Sequence, residues 1–171
     1  LIKEKMKRLN GNVTIITGGG KGIGYGLAQA FAQEGSDLVI TGRTESRLVA
    51  AKEKLENEYG IHVLPIVADG ADEDAIRNVV AKAIERFGKI NTLINNAQVS
   101  KSGLPLVEHT KEDLDLAIYS GLYAAFFYMR ECFPYLKETK GSVINFASGA
   151  GLFGKLGQSS YAAAKEGIRG M

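Results

Sequence analysis

Short apolar segments alternate with longer helical segments along this chain. The strand-like segments are rich in β-branched residues and nearly continuous in hydrophobicity, as strands covered on both faces of a parallel sheet should be. They span residues 13–17, 37–41, 62–67, 92–95 and 142–146. The helical segments between them span residues 22–33, 45–59, 72–87 and 111–136. Alternation of this kind requires crossover connections, which place helices on both faces of a parallel sheet.

Helix-ending and helix-starting residues support these boundaries. Gly35, Gly60 and Gly88 follow the first three helical segments, where glycine commonly ends a helix. Thr110 and Asp113 resemble a capping box that opens the fourth. We therefore predict an α/β fold of Rossmann type, with a doubly wound parallel sheet between two helical layers.

Length and composition limit the class of protein. The 171 residues suffice for one domain, with residues 1–9 as an N-terminal tail. A net charge of +2 gives no indication of a nucleic-acid or membrane partner. No apolar run approaches the roughly 20 residues of a membrane span. Cys132 is the single cysteine, which rules out an internal disulfide and indicates a cytoplasmic protein. His62 and His109 have no cysteine partner, so we expect no metal site.

A glycine-rich turn joins the first strand to the first helix. Residues 17–24 read Thr-Gly-Gly-Gly-Lys-Gly-Ile-Gly. Glycines let a pyrophosphate approach the main chain, and the amides at the following helix N-terminus can bind its oxygens. The position of this motif after the first strand favours a dinucleotide site over a merely tight turn.

A second group of residues suits proton transfer. Tyr161 and Lys165 are four residues apart, so on a helix they lie on one face. A neighbouring ammonium stabilises a phenolate, which makes the phenol a more effective acid and base. Ser148 could hold a substrate oxygen while Tyr161 exchanges the proton. Taken alone, the pair could also be an ordinary surface tyrosine and lysine.

Together these motifs resemble those of the short-chain dehydrogenases/reductases. The glycine turn matches that family's cofactor motif in residues and spacing. Ala68 and Asp69 follow the third strand, and Asn-Asn-Ala at residues 95–97 follows the fourth, as in the family. Ser148 precedes Tyr161 by 13 residues, the family's usual spacing. The resemblance covers nearly the whole chain.

The resemblance implies an NAD(P)-dependent oxidoreductase that acts on a ketone, an aldehyde or a secondary alcohol. It makes Tyr161 the general acid/base, Ser148 the residue that orients the substrate oxygen, and Lys165 a ligand of the nicotinamide ribose. It also implies a homodimer or homotetramer, for which the aromatic segment 119–129 is the candidate contact. The implied cofactor-binding residues are Gly18, Gly20, Lys21, Gly22, Ile23, Gly24, Arg43, Thr44, Ala68, Asp69, Gly70, Asn95, Ala97, Tyr161 and Lys165.

The end of the second strand bears on which nicotinamide cofactor is bound. NAD enzymes place an acid there, and its carboxylate would repel a 2′-phosphate. This chain has Arg43 and Thr44 instead, with Lys21 in the glycine turn. A guanidinium can bind a phosphate through two hydrogen bonds. We therefore favour NADP(H), while NAD(H) stays possible if Arg43 only stacks on adenine.

The chain departs from the family pattern at two residues and at its end. Gly121 stands where the family has an asparagine whose main-chain carbonyl holds a relay water, and Gln98 stands where it has glycine. An altered relay is one interpretation, and a non-catalytic dinucleotide-binding sensor or scaffold is the alternative. The chain ends at Met171, before the family's last strands, so we expect residues 1–171 alone to be poorly active.

The sequence does not distinguish between several classes of substrate. Its pocket is expected from residues 99–107, from residues 149–158 and from the later segment. Sugars, fatty acyl chains, steroids and small diketones all fit this description.

Overall fold

A parallel sheet of five strands forms the centre of the computed structural model, which describes residues 7–171. The spatial order of the strands is β3-β2-β1-β4-β5, and every neighbouring pair is parallel. The strands are β1 (Val13–Thr17), β2 (Asp37–Gly42), β3 (Val63–Val67), β4 (Thr92–Asn95) and β5 (Ser142–Asn145). The order reverses between β1 and β4, which confirms the predicted doubly wound sheet.

Helices cover the sheet on both faces and complete the predicted three layers. They are α1 (Gly22–Gln33), α2 (Glu45–Tyr59), α3 (Glu73–Phe87), α4 (Lys111–Ala117), α5 (Ala124–Thr139), α6 (Gly149–Phe153) and α7 (Ser159–Arg169). Ile15 packs into a core cluster with residues of α3 and α5, whereas its neighbour Ile16 packs with residues of α1 and α2. Adjacent residues of a strand face opposite sides, so one strand supplies both cores.

The predicted helix ends are close to those observed. Gly60 and Gly88 have left-handed φ angles of 67° and 73° and end α2 and α3. Thr110 and Asp113 form the full capping box at the start of α4. Asp72 caps α3 rather than lying inside it, because its side chain accepts hydrogen bonds from the backbone of the first turn.

The predicted fourth helix is wrong in one respect, since it is not continuous. A π-helical turn, Ile118–Tyr123, separates α4 from α5, and α5 continues past the predicted end to Thr139. A π turn adds one residue to the helical repeat and rotates the side chains that follow it. Three smaller differences concern strand ends. β2 extends to Gly42, β3 begins after His62, and β5 ends at Asn145, which pairs with the last residue of β4.

Among the five strands, β5 is the one whose side chains are most exposed. Val143 and Ile144 are each 40% exposed, and β5 is one edge of the sheet that the described residues form. The opposite edge is β3, which contains Pro65. Proline lacks the N–H that an inner strand needs, so an edge strand tolerates it.

The start of the chain is only partly described. Residues 1–6 of the expected tail lie outside the described residues. Arg8 is exposed, yet its guanidinium and its backbone N–H both donate to Glu34, each at 3.1 Å. Across residues 7–171, no helix combines the length and apolar character needed to cross a bilayer.

Candidate functional site

The carboxyl ends of β1 and β4 are joined by Thr17. Its Oγ1 accepts hydrogen bonds from the backbone N–H groups of Asn96 (3.0 Å) and Ala97 (2.9 Å). The side-chain amide of Asn96 donates back to the carbonyl of Thr17 at 2.9 Å. These contacts fix the glycine-rich turn against the residues after β4, at the point where the strand order reverses.

Two glycines of the turn are required by its geometry. Gly18 has φ +70°, a conformation that side-chain-bearing residues rarely adopt. Gly24 is buried at the start of α1, where a Cβ would lie 2.2 Å from the carbonyl oxygen of Gly18. The turn can therefore close only with glycine at position 24.

The N-terminus of α1 is free to bind an anion. Its N-cap residue, Lys21, makes no capping hydrogen bond, and the first turn contains no acidic residue. The first N–H groups of a helix lack intrahelical partners and carry partial positive charge. Because the glycine turn joins β1 directly to α1, this N-terminus lies at the end of the sheet where β1 stops.

A cavity of about 550 Å³ opens at this edge of the sheet. Most of the residues that sequence analysis assigned to the cofactor line it: Gly18, Gly20, Lys21, Gly22, Ile23, Gly24, Arg43, Thr44, Ala68, Asp69, Gly70, Asn95 and Ala97. Tyr161 and Lys165 do not line it, although Ile168 of the same helix does. The cavity size and the length of its lining suit a dinucleotide.

One side of the cavity is basic. Lys21, Arg43 and Arg47 all line it, and Asp69 is the one acid among its described lining residues. Arg47 lies in the first turn of α2, beside Gly20, and sequence analysis missed it. Its spacing four residues after Arg43 was the available signal, since both can face one ligand from a loop and the helix it opens.

Tyr128 forms part of the apolar floor. It is 2% exposed and approaches the hydroxyl of Thr41, at the end of β2, with an oxygen separation of 3.5 Å. Burial raises the pKa of Tyr128 to about 12, so its hydroxyl stays protonated at neutral pH. Cys132, one turn further along α5, is fully buried, and desolvation raises the pKa of its thiol to about 12. Both side chains are part of the buried core.

Lys165 is buried, and it connects α7 to the end of β5. Its Nζ donates to the carbonyl oxygen of Phe146 at 2.6 Å, and it lies 5.8 Å from the centre of the Tyr161 ring. Burial lowers the pKa of the Lys165 ammonium, because the charged form loses hydration. The arrangement holds a cation one helical turn from a phenol.

Ser148 lies two residues beyond Phe146 and caps α6. Its Oγ accepts a hydrogen bond from the backbone N–H of Ala150 at 3.2 Å. It lines a separate, shallow depression with Ile144 and Leu152. The structure thus places Ser148 near the residue that holds Lys165, outside the main cavity.

Two loops expected to form a substrate pocket meet each other. The backbone N–H of Gly103 donates to the carbonyl of Gly157 at 2.7 Å. Leu106, Val107, Phe153 and Leu156 on these segments are between 70% and 95% exposed. Single exposed apolar side chains are ordinary on a protein surface, but four large ones on two paired segments are typical of a binding surface. Within residues 7–171, no three His, Cys, Asp or Glu side chains are grouped so as to hold a metal ion.

Comparisons with known proteins agree with this geometry. The family model described as short chain dehydrogenase matches residues 12–171. The chain is 63% identical over 168 residues to a 12alpha-hydroxysteroid dehydrogenase from Clostridium sp., covering 95% of this chain and 65% of that relative. This chain therefore spans about two thirds of the length of that curated relative.

Solved structures give the same result. The crystal structure of levodione reductase matches with a TM-score of 0.91 and 33% identity, covering 95% of this chain and 64% of that one. The crystal structure of NAD+-bound xylitol dehydrogenase matches with a TM-score of 0.90 and 26% identity, covering 95% of this chain and 62% of that one. Sheet order, glycine turn and sequence identity agree, and the chain belongs to the short-chain dehydrogenase family.

Proposed function

We propose that this protein is an NADP(H)-dependent oxidoreductase that interconverts a secondary alcohol and a ketone. The observation that carries the proposal is the cavity at the reversal of strand order, formed by the glycine turn and the uncapped start of α1. A helix N-terminus reached through glycines is suited to a pyrophosphate. A bound nicotinamide would supply or accept the hydride.

The chain's own residues would bind the cofactor, transfer the proton and orient the substrate. The amides at the start of α1 would bind phosphate oxygens, and the carboxylate of Asp69, which lines the cavity, would accept a hydrogen bond from the adenine amino group. Tyr161 takes the hydroxyl proton during oxidation and returns it during reduction. The nearby Lys165 ammonium favours the phenolate form that takes this proton, and Ser148 donates a hydrogen bond to the substrate oxygen.

The basic side of the cavity supports NADP(H) over NAD(H). The chain has no acid at the end of β2, and Lys21, Arg43 and Arg47 line the cavity there. Three cations around a 2′-phosphate would stabilise it, whereas the neutral ribose hydroxyl of NAD gains little from them. A solved structure of this fold, the xylitol dehydrogenase, is bound to NAD+, so the fold alone does not impose NADP(H) and the proposed preference depends on these side chains.

We further propose a hydroxysteroid as the substrate class. The relative at 63% identity is a 12alpha-hydroxysteroid dehydrogenase. The exposed apolar residues of the paired loops, among them Leu106 and Phe153, are suited to a large rigid apolar ring system. A sugar would instead call for polar side chains at these positions.

The test is a turnover assay with a 12α-hydroxysteroid and NADP+, following reduction of the cofactor. We expect a 12-ketosteroid as product, with transfer of one hydride and release of one proton. A 3α-hydroxysteroid without a 12-hydroxyl group is the matched control. Turnover of the control alone would contradict the assigned substrate position, and oxidation of neither steroid would contradict the substrate class.

We also propose that the protein forms an oligomer through an exposed aromatic surface. Tyr119, Tyr123 and Phe126 form an exposed aromatic stripe along the π turn and α5, and each is between 43% and 45% exposed. The Tyr119 and Tyr123 rings stack with centroids 5.0 Å apart. Phe127 and Met129, predicted as part of the same cluster, pack against the core. The stripe supports a homodimer or homotetramer through this face.

A further inference from the structure

The side chain of Gln98 ends against the backbone of Gly121. A Cβ at position 121 would lie 2.7 Å from both Cδ and Oε1 of Gln98, and 3.0 Å from its Nε2. A contact this short requires one side to move, and these atoms lie at the flexible end of the Gln98 side chain, so a side chain at position 121 would displace the carboxamide. The two departures from the family pattern therefore meet at one point in space.

The carboxamide also contacts the start of the π turn. Gln98 Nε2 donates a long hydrogen bond, 3.5 Å, to the carbonyl of Ala117, the last residue of α4. Gln98 Oε1 is fully buried and has no hydrogen-bond partner among residues 7–171. A buried acceptor without a partner is costly, and an apolar side chain of similar length would avoid that cost.

A second contact fastens the same two segments. Ser120 Oγ accepts from the backbone N–H of Val99 at 3.0 Å and lies 2.8 Å from the carbonyl oxygen of Val99. Residues 98–99 and the π turn are thus held together by side-chain contacts in both directions. Gln98, Val99, Ser120 and Gly121 themselves line the cofactor cavity, so this contact forms part of its wall.

The π turn in turn supports α7. A Cβ at Gly167 would lie 2.9 Å from Cδ2 of Leu122, so the backbone of α7 rests directly on the π turn. α7 carries Tyr161 and Lys165. A shift of the π turn would therefore displace the helix that holds both of these side chains.

We propose that Gln98 is a positioning residue matched to Gly121, which sets the π turn and through it the placement of α7. The inference rests on the proposed oxidoreductase function, because its effect is on the proton-transferring residues. Gln98 acts through Gly121 and Leu122 and touches none of the proton-transferring residues itself. The absence of a side chain at position 121 is what makes room for its carboxamide.

The test compares the parent protein, Gly121→Asn and the double variant Gln98→Gly/Gly121→Asn in the steroid assay. Asparagine at 121 alone displaces the Gln98 carboxamide from its contact with Ala117 at the start of the π turn, and we expect kcat to fall at least about tenfold. In the double variant a carboxamide from position 121 occupies the volume that Gln98 leaves, and we expect kcat within about threefold of the parent. Gly26→Asn, on the open face of α1, is the matched control and should leave kcat unchanged.

A milder variant covers the case in which Gly121→Asn does not fold. Gln98→Met keeps the length of the side chain and removes its hydrogen-bonding atoms. We expect kcat to fall several-fold while the unfolding midpoint stays the same or rises, because the substitution removes the unpartnered Oε1. A merely structural role would instead lower the midpoint and leave kcat in place.

Several outcomes would overturn the pairing while leaving the proposed function intact. These are an active parent with Gly121→Asn equally active, a double variant no better than Gly121→Asn, or an unchanged kcat in Gln98→Met. A parent that transfers no hydride to NADP+ from any steroid would overturn the proposed function and this inference together.

Discussion

Replacing Tyr161 with phenylalanine should lower kcat for steroid oxidation by about 10²–10⁴-fold, the usual contribution of a general acid/base. The substitution removes one hydroxyl and leaves the aromatic ring beside Lys165. The residues that line the cofactor cavity are unchanged, and Tyr161 is not among them. The NADPH dissociation constant should therefore stay within a few-fold of the parent value.

Tyr135→Phe is the matched control for this prediction. Tyr135 is half-buried on α5 against the core, and its hydroxyl lies outside the cavity lining. Its loss should leave kcat and NADPH binding unchanged. Turnover by Tyr161→Phe at the parent rate would remove Tyr161 from the mechanism. NADPH binding with no turnover by the parent itself would favour the alternative, a non-catalytic sensor or scaffold.

Gly24→Ala should weaken NADPH binding by at least about 100-fold and lower the free energy of unfolding by about 1–3 kcal/mol. The added methyl group would lie 2.2 Å from the carbonyl oxygen of Gly18 and 2.7 Å from Nδ2 of Asn96. The first of these is a backbone atom, so no side-chain rotation relieves the contact. The glycine turn must open, which moves the phosphate-binding amides.

Gly26→Ala, two residues further along α1, separates this effect from helix propensity. A Cβ at Gly26 meets nothing within 4 Å, and the residue is exposed. Alanine there should raise the free energy of unfolding by up to about 1 kcal/mol, since glycine is a poor helix former. Fluorescence titration and urea unfolding measure both variants. If Gly24→Ala and Gly26→Ala had the same NADPH affinity and the same free energy of unfolding, the close approach of Gly24 to Gly18 would not be needed for cofactor binding.

The sequence predicted the sheet and most element boundaries because both follow from local patterns. Apolar runs of strand length and helix-ending glycines such as Gly60 are properties of short stretches of chain. The π turn could not be predicted this way, because residues 111–136 keep a helical period throughout. Its geometry depends on Ser120 and Gln98 contacts between segments about 20 residues apart.

The glycine turn and the basic residues of the cavity were largely predictable, whereas the relation between Gln98 and Gly121 was not. Motif spacing identified Lys21 and Arg43 because both lie next to predicted strand ends. Arg47 was missed because it lies inside a helix, where a charged residue usually faces solvent.

The most direct test of the central claim is a fluorescence titration of the parent and of Arg43→Asp with NADPH and NADH. We expect the parent to bind NADPH at least about tenfold more tightly than NADH, since charge-assisted hydrogen bonds contribute 1.5–3 kcal/mol each. Arg43→Asp should lose this preference, whereas Lys54→Asp, an equal charge change on the exposed face of α2, should keep it. Equal or tighter binding of NADH by the parent would contradict the assignment of NADP(H) to this cavity.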